Sequence, residues 1–405
     1  MVTTRRELIG AGVGGAGLIA LGGVFWSEVF GAASAPARQA GFGYGPRRPP
    51  DENGLMLPDG FRSRVVARGE EAVAETGYRW HPASDGMATF PHEDGGWILV
   101  SNSEALQGGA SAVRFRRDGR VTGAYRILDG TRQNCSGGGT PWGTWLSCEE
   151  VEGGSVWECD PSGQREAARR PALGAFKHEA AAVDAEGRRV YLTEDLVDGG
   201  LYRFTPTRWP DLDRGLLEIA VEGPGGRVGW TEVPDPDASR TVTRRQVPGT
   251  LRMRRGEGVW FDNGVVYVAT TADHRVHAYD TRDERMSVLY DGLASRSAPL
   301  LRVDGLTATR AGEVFVCEDI ATDEIDIGLI ERSGRVSRFL SATGNQHEGS
   351  ELTGVTFDPS GGRMYVASQR ADGSSGSPGP GAIYEISGPF RGRRSRSFHA
   401  RDQTA

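Results

Sequence analysis

Hydrophobic and polar positions alternate in short runs that are interrupted by glycine-containing turns. One pattern recurs six times: a short residue pair, an apolar segment, a turn, and a second run with aromatic or β-branched residues. The copies are DGMATFPHEDGGWILVSNSE (85–104), CSGGGTPWGTWLSCEE (135–150), EAAAVDAEGRRVYLTE (179–194), EGVWFDNGVVYVATT (257–271), DGLTATRAGEVFVCE (304–318) and TGVTFDPSGGRMYVAS (353–368). Each copy is typical of a β-hairpin, because turns such as DNG and PSGG join two alternating runs.

The spacing of these hairpins predicts the architecture. Their starts are separated by 50, 44, 78, 47 and 49 residues. Four-stranded units of about 40–50 residues are typical of β-propellers. We therefore predict an all-β fold, a six-bladed β-propeller over residues 61–390, whose longest interval holds an insertion at about 205–250. A pair of β-sandwiches would not give six hairpins in one register.

The first 37 residues are typical of an export signal. Arg5 and Arg6 precede an apolar stretch at 8–26, and small residues up to Ala37 provide a cleavage site. The arginine pair predicts the twin-arginine route, and hence a periplasmic, cell-surface or extracellular protein. The alternative is an uncleaved membrane anchor, since about 19 apolar-leaning residues can just span a bilayer.

The amino-acid composition excludes several classes of protein. The 405 residues include 59 glycines, which oppose long helices, and the net charge of −7 argues against a broad nucleic-acid-binding face. Four cysteines are too few for a disulfide scaffold. We expect a monomer with a linker at 38–60 and a disordered tail at 391–405.

Acidic residues recur at two equivalent positions of the hairpins. The residue that opens each copy is expected to face the central channel, because the innermost strand of a blade lines it. These residues are Asp85, Cys135, Glu179, Glu257, Asp304 and Thr353. The second position closes each copy, with Glu104, Glu150, Glu194, Thr271, Glu318 and Ser368. So many carboxylates in one channel require either protonation or metal ions, unless they lie on a solvated rim.

The ligand types indicate which metals the channel would hold. Several oxygen ligands suit calcium or magnesium, whereas the thiol of Cys135, with His178 adjacent to Glu179 in sequence, favours a transition metal such as iron. We therefore predict a polynuclear metal centre on the axis. Arg255 lies two residues before Glu257 and suits an anionic tetrahedral substrate, because its planar fork binds two oxygens. The alternative for Arg255 is a salt bridge to a channel carboxylate.

At these residues the sequence resembles the PhoX-type alkaline phosphatase family. The motifs are Arg5-Arg6, DGM (85–87), NCSGGGTPWGTWLSCEE (134–150), KHEAA (177–181), RGEG (255–258) and ELTG (351–354). The resemblance implies a six-bladed propeller, twin-arginine export and an axial iron–calcium cluster that hydrolyses phosphomonoesters, which are small-molecule substrates.

The resemblance also implies roles for individual residues. The implied iron ligands are Cys135, Glu179 and Glu257, and the implied calcium ligands are Glu104, Glu150, Asp304 and Glu318. Arg255 would hold the phosphate and Asn134 would contact the substrate. The chain has Asn102-Ser103-Glu104 where the family often has Asn-His-Glu, and it is shorter than the best-known members, so it can lack arms that cover their site.

We therefore predict an exported phosphoric monoester hydrolase, and two alternatives stay open. EGVWFDNGVVYVA also resembles gluconolactonase-like propellers, which would make the protein a calcium-dependent lactonase or esterase that is indifferent to loss of Cys135. The other alternative is a non-catalytic propeller that binds metal or another protein.

Overall fold

The computed structural model describes residues 43–391 except 297, 310, 321, 332–333 and 374–377. The predicted signal at 1–37 and the predicted tail beyond Arg391 lie outside these residues. In the described part, 26 β-strands are joined by turns and by four 3₁₀ helices, Pro171–Leu173, Pro224–Gly226, Thr243–Arg245 and Asn345–His347. No helix in this part of the chain is long and apolar enough to cross a membrane.

The strands follow one another in chain order as an N-terminal pair and six groups. The pair is β1 (Leu55–Met56) and β2 (Arg62–Arg68). Blade one contains β3 (Ser84–Pro91), β4 (Trp97–Ser103), β5 (Ala110–Phe115) and β6 (Val121–Leu128). Blade two contains β7 (Asn134–Gly139), β8 (Trp145–Glu149), β9 (Val156–Cys159) and β10 (Ala168–Arg169). Blade three contains β11 (His178–Asp184), β12 (Arg189–Glu194), β13 (Leu201–Arg208), β14 (Asp211–Glu222) and β15 (Val228–Glu232).

The second half of the chain repeats this arrangement. Blade four contains β16 (Gly256–Asp262), β17 (Val265–Thr270), β18 (Arg275–Asp280) and β19 (Arg285–Asp291). Blade five contains β20 (Val303–Ala308), β21 (Val314–Glu318), β22 (Glu324–Ile330) and β23 (Val336–Thr343). Blade six contains β24 (Leu352–Phe357), β25 (Arg363–Ser368) and β26 (Ala382–Ser387).

Each group forms one antiparallel sheet, which confirms the predicted six-bladed propeller. Blade six is completed by β2, which pairs with β26, so hydrogen bonds between the two ends of the chain close the ring. β1, inside the predicted linker, pairs with β23 at the outer edge of blade five. The interval predicted to hold an insertion contains β14 and β15, which extend blade three outwards as its fourth and fifth strands.

The hydrophobic core lies between neighbouring blades. Six clusters of buried side chains are found, one for each pair of adjacent sheets; Tyr191 of blade three and Tyr279 of blade four, for example, share one cluster. The middle strands are therefore buried on both faces, and β17 is buried along its whole length. Burying a large apolar side chain stabilises the fold by about 1.5–3 kcal/mol, so these interfaces hold the blades together.

All six innermost strands carry a β-bulge near their start, at the same place in blades one to five and one residue later in blade six. The register of each strand with its neighbour shifts between Ser84 and Met87, Asn134 and Gly137, His178 and Ala181, Gly256 and Val259, Val303 and Leu306, and Thr353 and Thr356. A bulge leaves a residue unpaired and re-aims its side chain. In the first five blades the second residue of the strand lies in the bulge, and it is the same residue that opens the sequence repeat; in blade six the second residue, Thr353, still pairs with Ala367 and the bulge follows it.

Small residues follow the bulged positions and allow the inner strands to approach one another. A Cβ on Gly86 would lie 2.5 Å from the Cα of Ser136 in the next blade, and one on Gly258 would lie 2.8 Å from the backbone nitrogen of Leu306. These distances are shorter than real Cβ contacts, so backbone packing requires glycine here. The narrow spacing brings the bulged side chains of neighbouring blades together.

Candidate metal centre

The residues that open the six sequence repeats form an inner ring around the channel axis. We define this inner ring as Asp85, Cys135, Glu179, Glu257, Asp304 and Thr353, each the second residue of an innermost strand. Glu179 is 1% exposed and Glu257 is 4% exposed. Four carboxyl groups and a thiol therefore lie in a largely buried ring, as the first sequence position predicts.

An outer ring is formed by the residues that directly follow the second strand of each blade. These are Glu104, Glu150, Asp195, Thr271, Asp319 and Gln369. Their backbone N–H groups donate, over 2.9–3.3 Å, to the carbonyl groups of Ala83, Gln133, Lys177, Arg255, Arg302 and Glu351, respectively. Each acceptor lies two residues before its blade's inner-ring residue, so one backbone bond per blade fixes the register between the two rings. We call this end of the channel the mouth.

The predicted second ring is wrong by one residue in three blades. Glu318 points into blade five, because its carboxylate accepts hydrogen bonds from the backbone nitrogens of Leu301 (2.6 Å) and Asp326 (3.1 Å). It is therefore not placed to bind calcium in the channel. Glu194 likewise accepts from Gly200 N (3.1 Å) and the Tyr202 hydroxyl (2.9 Å) within blade three.

Asp195, Asp319 and Gln369 take the positions predicted for Glu194, Glu318 and Ser368. The missed signal is a pair of adjacent acids at the end of the second strand, Glu149-Glu150, Glu194-Asp195 and Glu318-Asp319. Side chains alternate along a strand, so only one acid of each pair can face the channel. Aligning the second acid of each pair would have given the correct residue in blades three and five, whereas Ser368-Gln369 in blade six carries no acid pair.

Seven residues of the two rings form three overlapping groups of potential metal ligands. The groups are Asp85, Glu104 and Cys135; Cys135, Glu150 and Glu179; and Glu179, Glu257 and Asp304. Within each group the ligand atoms all lie within 4.8 Å of one another. Cys135 is shared by the first two groups and Glu179 by the last two. The arrangement is therefore one continuous ligand array from blade one to blade five.

The electrostatics of these groups are unfavourable without a cation. Burial, and then repulsion from neighbouring acids, raises the pKa of Glu150, Glu179, Glu257 and Asp304 well above their usual range. The same causes raise the pKa of Asp85 to about 7. Burying like charges this close together costs several kcal/mol unless protons or cations compensate.

Unpaired oxygen atoms also fit a metal site. Glu179 Oε2 and Gln369 Oε1 are buried without a hydrogen-bond partner among the described residues. Glu257 Oε1 lacks a hydrogen bond there too, although it forms an ion pair with Arg255 Nη2 at 3.1 Å. The Cys135 thiol lies 3.3 Å from Glu179 Oε1. Buried oxygens without donors are costly, and coordination by a multivalent cation would satisfy them.

Two cations flank the channel mouth on the side of blades three and four. Asp195 lies between them: it accepts from Arg255 Nε at 2.7 Å and from Lys177 Nζ at 2.9 Å. Burial raises the pKa of Asp195, but the hydrogen bond from Arg255 and its other partners outweigh burial and lower the pKa to about 2. Asp195 therefore stays ionised and holds both cations beside Glu150, which accepts from Lys177 at 2.8 Å.

Arg255 makes the salt bridges that were its predicted alternative. Besides Asp195, its guanidinium contacts Glu257 at 3.1 Å and Asp319 at 3.4 Å. Its backbone φ of +57° is in the left-handed region, which disfavours side-chain-bearing residues and is typical of functional sites. The structure thus brings Arg255 to the mouth, with its side chain 29% exposed.

The opposite side of the mouth, at blades six and one, has a different set of polar groups. Gln369 Nε2 donates to Asp85 Oδ2 at 2.7 Å and to Glu104 Oε2 at 2.5 Å. Arg370 follows, and its guanidinium lies 3.9 Å from both Glu104 and Glu351. Glu351 opens the ELTG motif, and burial followed by the charge of Asp319 raises its pKa well above the usual range. Sequence reasoning gave no role to Gln369 or Arg370.

Asn134 is not placed to contact a substrate in the channel. Its Oδ1 accepts from Gly109 N and Thr131 Oγ1, both at 2.6 Å, and its Nδ2 donates to Ser147 Oγ at 2.9 Å. Gly109 and Thr131 lie in connecting loops and Ser147 lies in β8, and all three contacts are buried on the side of the strand away from the channel, because Asn134 precedes Cys135 and its side chain points the other way.

The side chains of His178 and Asn102, which lie close in sequence to ring residues, also point away from the axis. His178 bonds the Gly174 carbonyl at 3.0 Å and packs on Phe176, away from the ligand groups. Asn102 has a supporting role: its Nδ2 donates to the carbonyl groups of Cys135 and Ser136 and so holds the strand that carries the thiol.

The fold and these groups define a six-bladed propeller with a candidate metal centre in its channel. Residues 108–288 match the model of the family described as alkaline phosphatase PhoX. The predicted resemblance is therefore confirmed, and the match supports the predicted class of enzyme, a phosphomonoesterase. No curated protein matches the chain in sequence.

Two solved structures are similar to this chain in fold, and a third is a weaker match. The chain is similar to Pseudomonas fluorescens PhoX in complex with vanadate, a transition-state analogue, with 18% identity over 87% of this chain and 98% of that chain and a TM-score of 0.71. A protein of unknown function from Bacteroides thetaiotaomicron matches with 11% identity over 85% and 83% of the two chains and a TM-score of 0.52. A gluconolactonase from Xanthomonas campestris matches with 15% identity over 85% and 98%, with a TM-score of 0.48.

Proposed function

We propose that the protein is an exported, metal-dependent phosphatase that hydrolyses phosphomonoesters at an axial iron–calcium cluster. The observation that carries this proposal is the continuous array of three ligand groups joined by Cys135 and Glu179. A bridged array supports a polynuclear centre, in contrast to a single divalent-cation site.

The ligand types support an allocation of metals. Cys135 belongs to the first two groups, so these are the proposed iron positions, because a thiolate favours a transition metal. Glu179, Glu257 and Asp304 offer only oxygen and suit calcium. Glu179 belongs to groups of both kinds, so it would help to hold both kinds of ion, and Glu104 and Glu150 would complete the thiol-containing groups. This differs from the roles implied by resemblance, in which Glu257 binds iron and Glu104 and Glu150 bind calcium.

The chain's own residues would bind and orient the phosphoryl group at the mouth. Bound metals would supply Lewis-acid polarisation of the ester and a nucleophile derived from water. Arg255 would bind phosphoryl oxygens through Nη1, whose contact with Asp319 is long at 3.4 Å, while Nε and Nη2 stay on Asp195. A fixed cation there would stabilise the negative charge that develops on the equatorial oxygens. Lys177 would hold Glu150 and Asp195 in position.

Export is supported by the first 37 residues of the sequence. Arg5, Arg6, the apolar stretch and the small residues are typical of the twin-arginine route, which carries proteins that are already folded. Such a route suits a chain whose cluster must be assembled before export. We therefore propose a periplasmic, cell-surface or extracellular enzyme.

An activity panel on natively exported protein tests the proposal. The substrates are a phosphomonoester, a phosphodiester and a lactone, and the variants are Cys135→Ser and Cys159→Ser. Cys159 is a buried thiol of β9 outside the three ligand groups, so it is a matched control. We expect monoester hydrolysis that is lost in Cys135→Ser and kept in Cys159→Ser. Lactone hydrolysis that survives in Cys135→Ser, or no hydrolysis by metal-loaded protein, would contradict the proposal.

A further inference from the structure

Arg370 extends from blade six towards the acids at the channel mouth. It directly follows Gln369, whose amide binds Asp85 and Glu104, so its backbone is fixed beside the outer ring. Its own backbone N–H donates to Ser350 Oγ at 2.9 Å, which secures this position further. The guanidinium lies 3.9 Å from Glu104 Oε2 and 3.9 Å from Glu351 Oε1, and the side chain is 37% exposed.

Three other cations near the mouth make closer contacts with acids than Arg370 does. Lys177 donates to Glu150 and twice to Asp195. Arg255 donates to Asp195 through two nitrogens, and Arg302 donates to Asp319 through two nitrogens. Among the described residues, the guanidinium of Arg370 makes only the two long ion pairs and donates no hydrogen bond. Its planar fork is therefore free to bind two oxygens of an anion.

We propose that Arg370 is a second anion-binding residue of the axial centre, which takes two phosphoryl oxygens from the side opposite Arg255. Blade four supplies Arg255 and blade six supplies Arg370, so the two cations approach the mouth from different directions. Glu104 and Glu351 hold the guanidinium above the ligand groups by charge without occupying its donors. Metal binding to Glu104 would weaken that attraction and leave Arg370 to the incoming anion. The identity of this anion as a phosphomonoester rests on the proposed function.

Binding of inorganic phosphate to metal-loaded protein, measured by calorimetry, tests this inference separately from catalysis. The variants are Arg370→Gln and Arg370→Lys, and the control is Arg282→Gln. Arg282 is exposed in the turn between β18 and β19, at the far end of the strands from the mouth. Elemental analysis of each variant reports whether the metals are retained.

We expect Arg370→Gln to weaken phosphate binding by about tenfold or more, because a charge-assisted pair is removed. Metal content should match the wild type, Arg370→Lys should recover part of the loss, and Arg282→Gln should bind normally. A dissociation constant within about twofold of the wild type would overturn the proposal. Loss of metals in Arg370→Gln would also overturn it, since Arg370 would then position Glu104. If phosphate binding depends on Arg370 but no ester is hydrolysed, the proposed function fails and this inference stands.

Discussion

Two adjacent acids at the end of one strand have different roles. In blade three Glu194 points into the sheet, where it accepts from Gly200 N and Tyr202 and pairs with Arg244 at 2.8 Å. Asp195, the next residue, points to the mouth and holds Lys177 and Arg255. The type of residue alone therefore does not identify an acid of the site. Side chains alternate along a strand, and this alternation decides whether a carboxylate stabilises the blade or faces the channel.

The largest expected effect is on an inner-ring acid. Glu179→Ala removes a ligand shared by two groups, so we expect the metals to be lost and phosphomonoesterase activity to fall by more than about 10³-fold. Steady-state kinetics and elemental analysis check this result. Retention of both metals and activity would show that Glu179 is not a bridging ligand.

Glu194, the acid that points into blade three, should affect the stability of the fold and not the metal content. Glu194→Ala breaks the buried ion pair with Arg244, whose side chain is 9% exposed. The free energy of unfolding should therefore fall by about 3 kcal/mol. Denaturant titration measures the loss, and metal content should stay unchanged. If Glu194→Ala loses its metals while its stability is normal, the direction assigned to this side chain is wrong.

Substitution of Asp195, the neighbour of Glu194, should give a smaller effect, which is on activity alone. Asp195→Asn removes the charge that orients Arg255 and Lys177, so we expect activity to fall by about tenfold at unchanged metal content. Kinetics on a small phosphomonoester separate an effect on KM from one on kcat. An unaltered kcat/KM would mean that Arg255 does not need this anchor.

The smallest expected effect is the pH dependence of metal-free protein. Burial, and then Glu104, raises the pKa of Asp85 from its usual 3.8 to about 7. The folded chain therefore binds more protons than the unfolded chain between these values, so stability should decrease as pH rises from about 4 to 7. Thermal unfolding after chelation measures this trend, and metal-loaded protein should lack it. Stability that rises across this range would contradict the assignment.

The sequence predicted the blades and the inner ring because both depend on local pattern. Turns such as DNG fix the hairpins, and the residue that opens each of the first five repeats, such as Glu257, lies in a bulge that turns it to the axis. The outer ring was misaligned because single acids were matched in place of adjacent pairs. Asn134 was misassigned because proximity to Cys135 in sequence places it on the opposite side of the strand.

The remaining contacts join residues far apart in the chain. Gln369 reaches Asp85 across 284 positions, since the ring closes between blades six and one. Arg370 approaches Glu104 by the same closure. No local pattern indicates which loop residue will face the mouth after closure, so these groups emerge only from the folded structure.

Metal analysis of natively exported protein tests the central claim most directly. Elemental mass spectrometry of the wild type, Cys135→Ser and Cys159→Ser would report iron and calcium per chain. We expect both metals in the wild type and in Cys159→Ser, and loss of iron in Cys135→Ser. Wild-type protein with no stoichiometric metal, or Cys135→Ser with its full iron content, would contradict that claim.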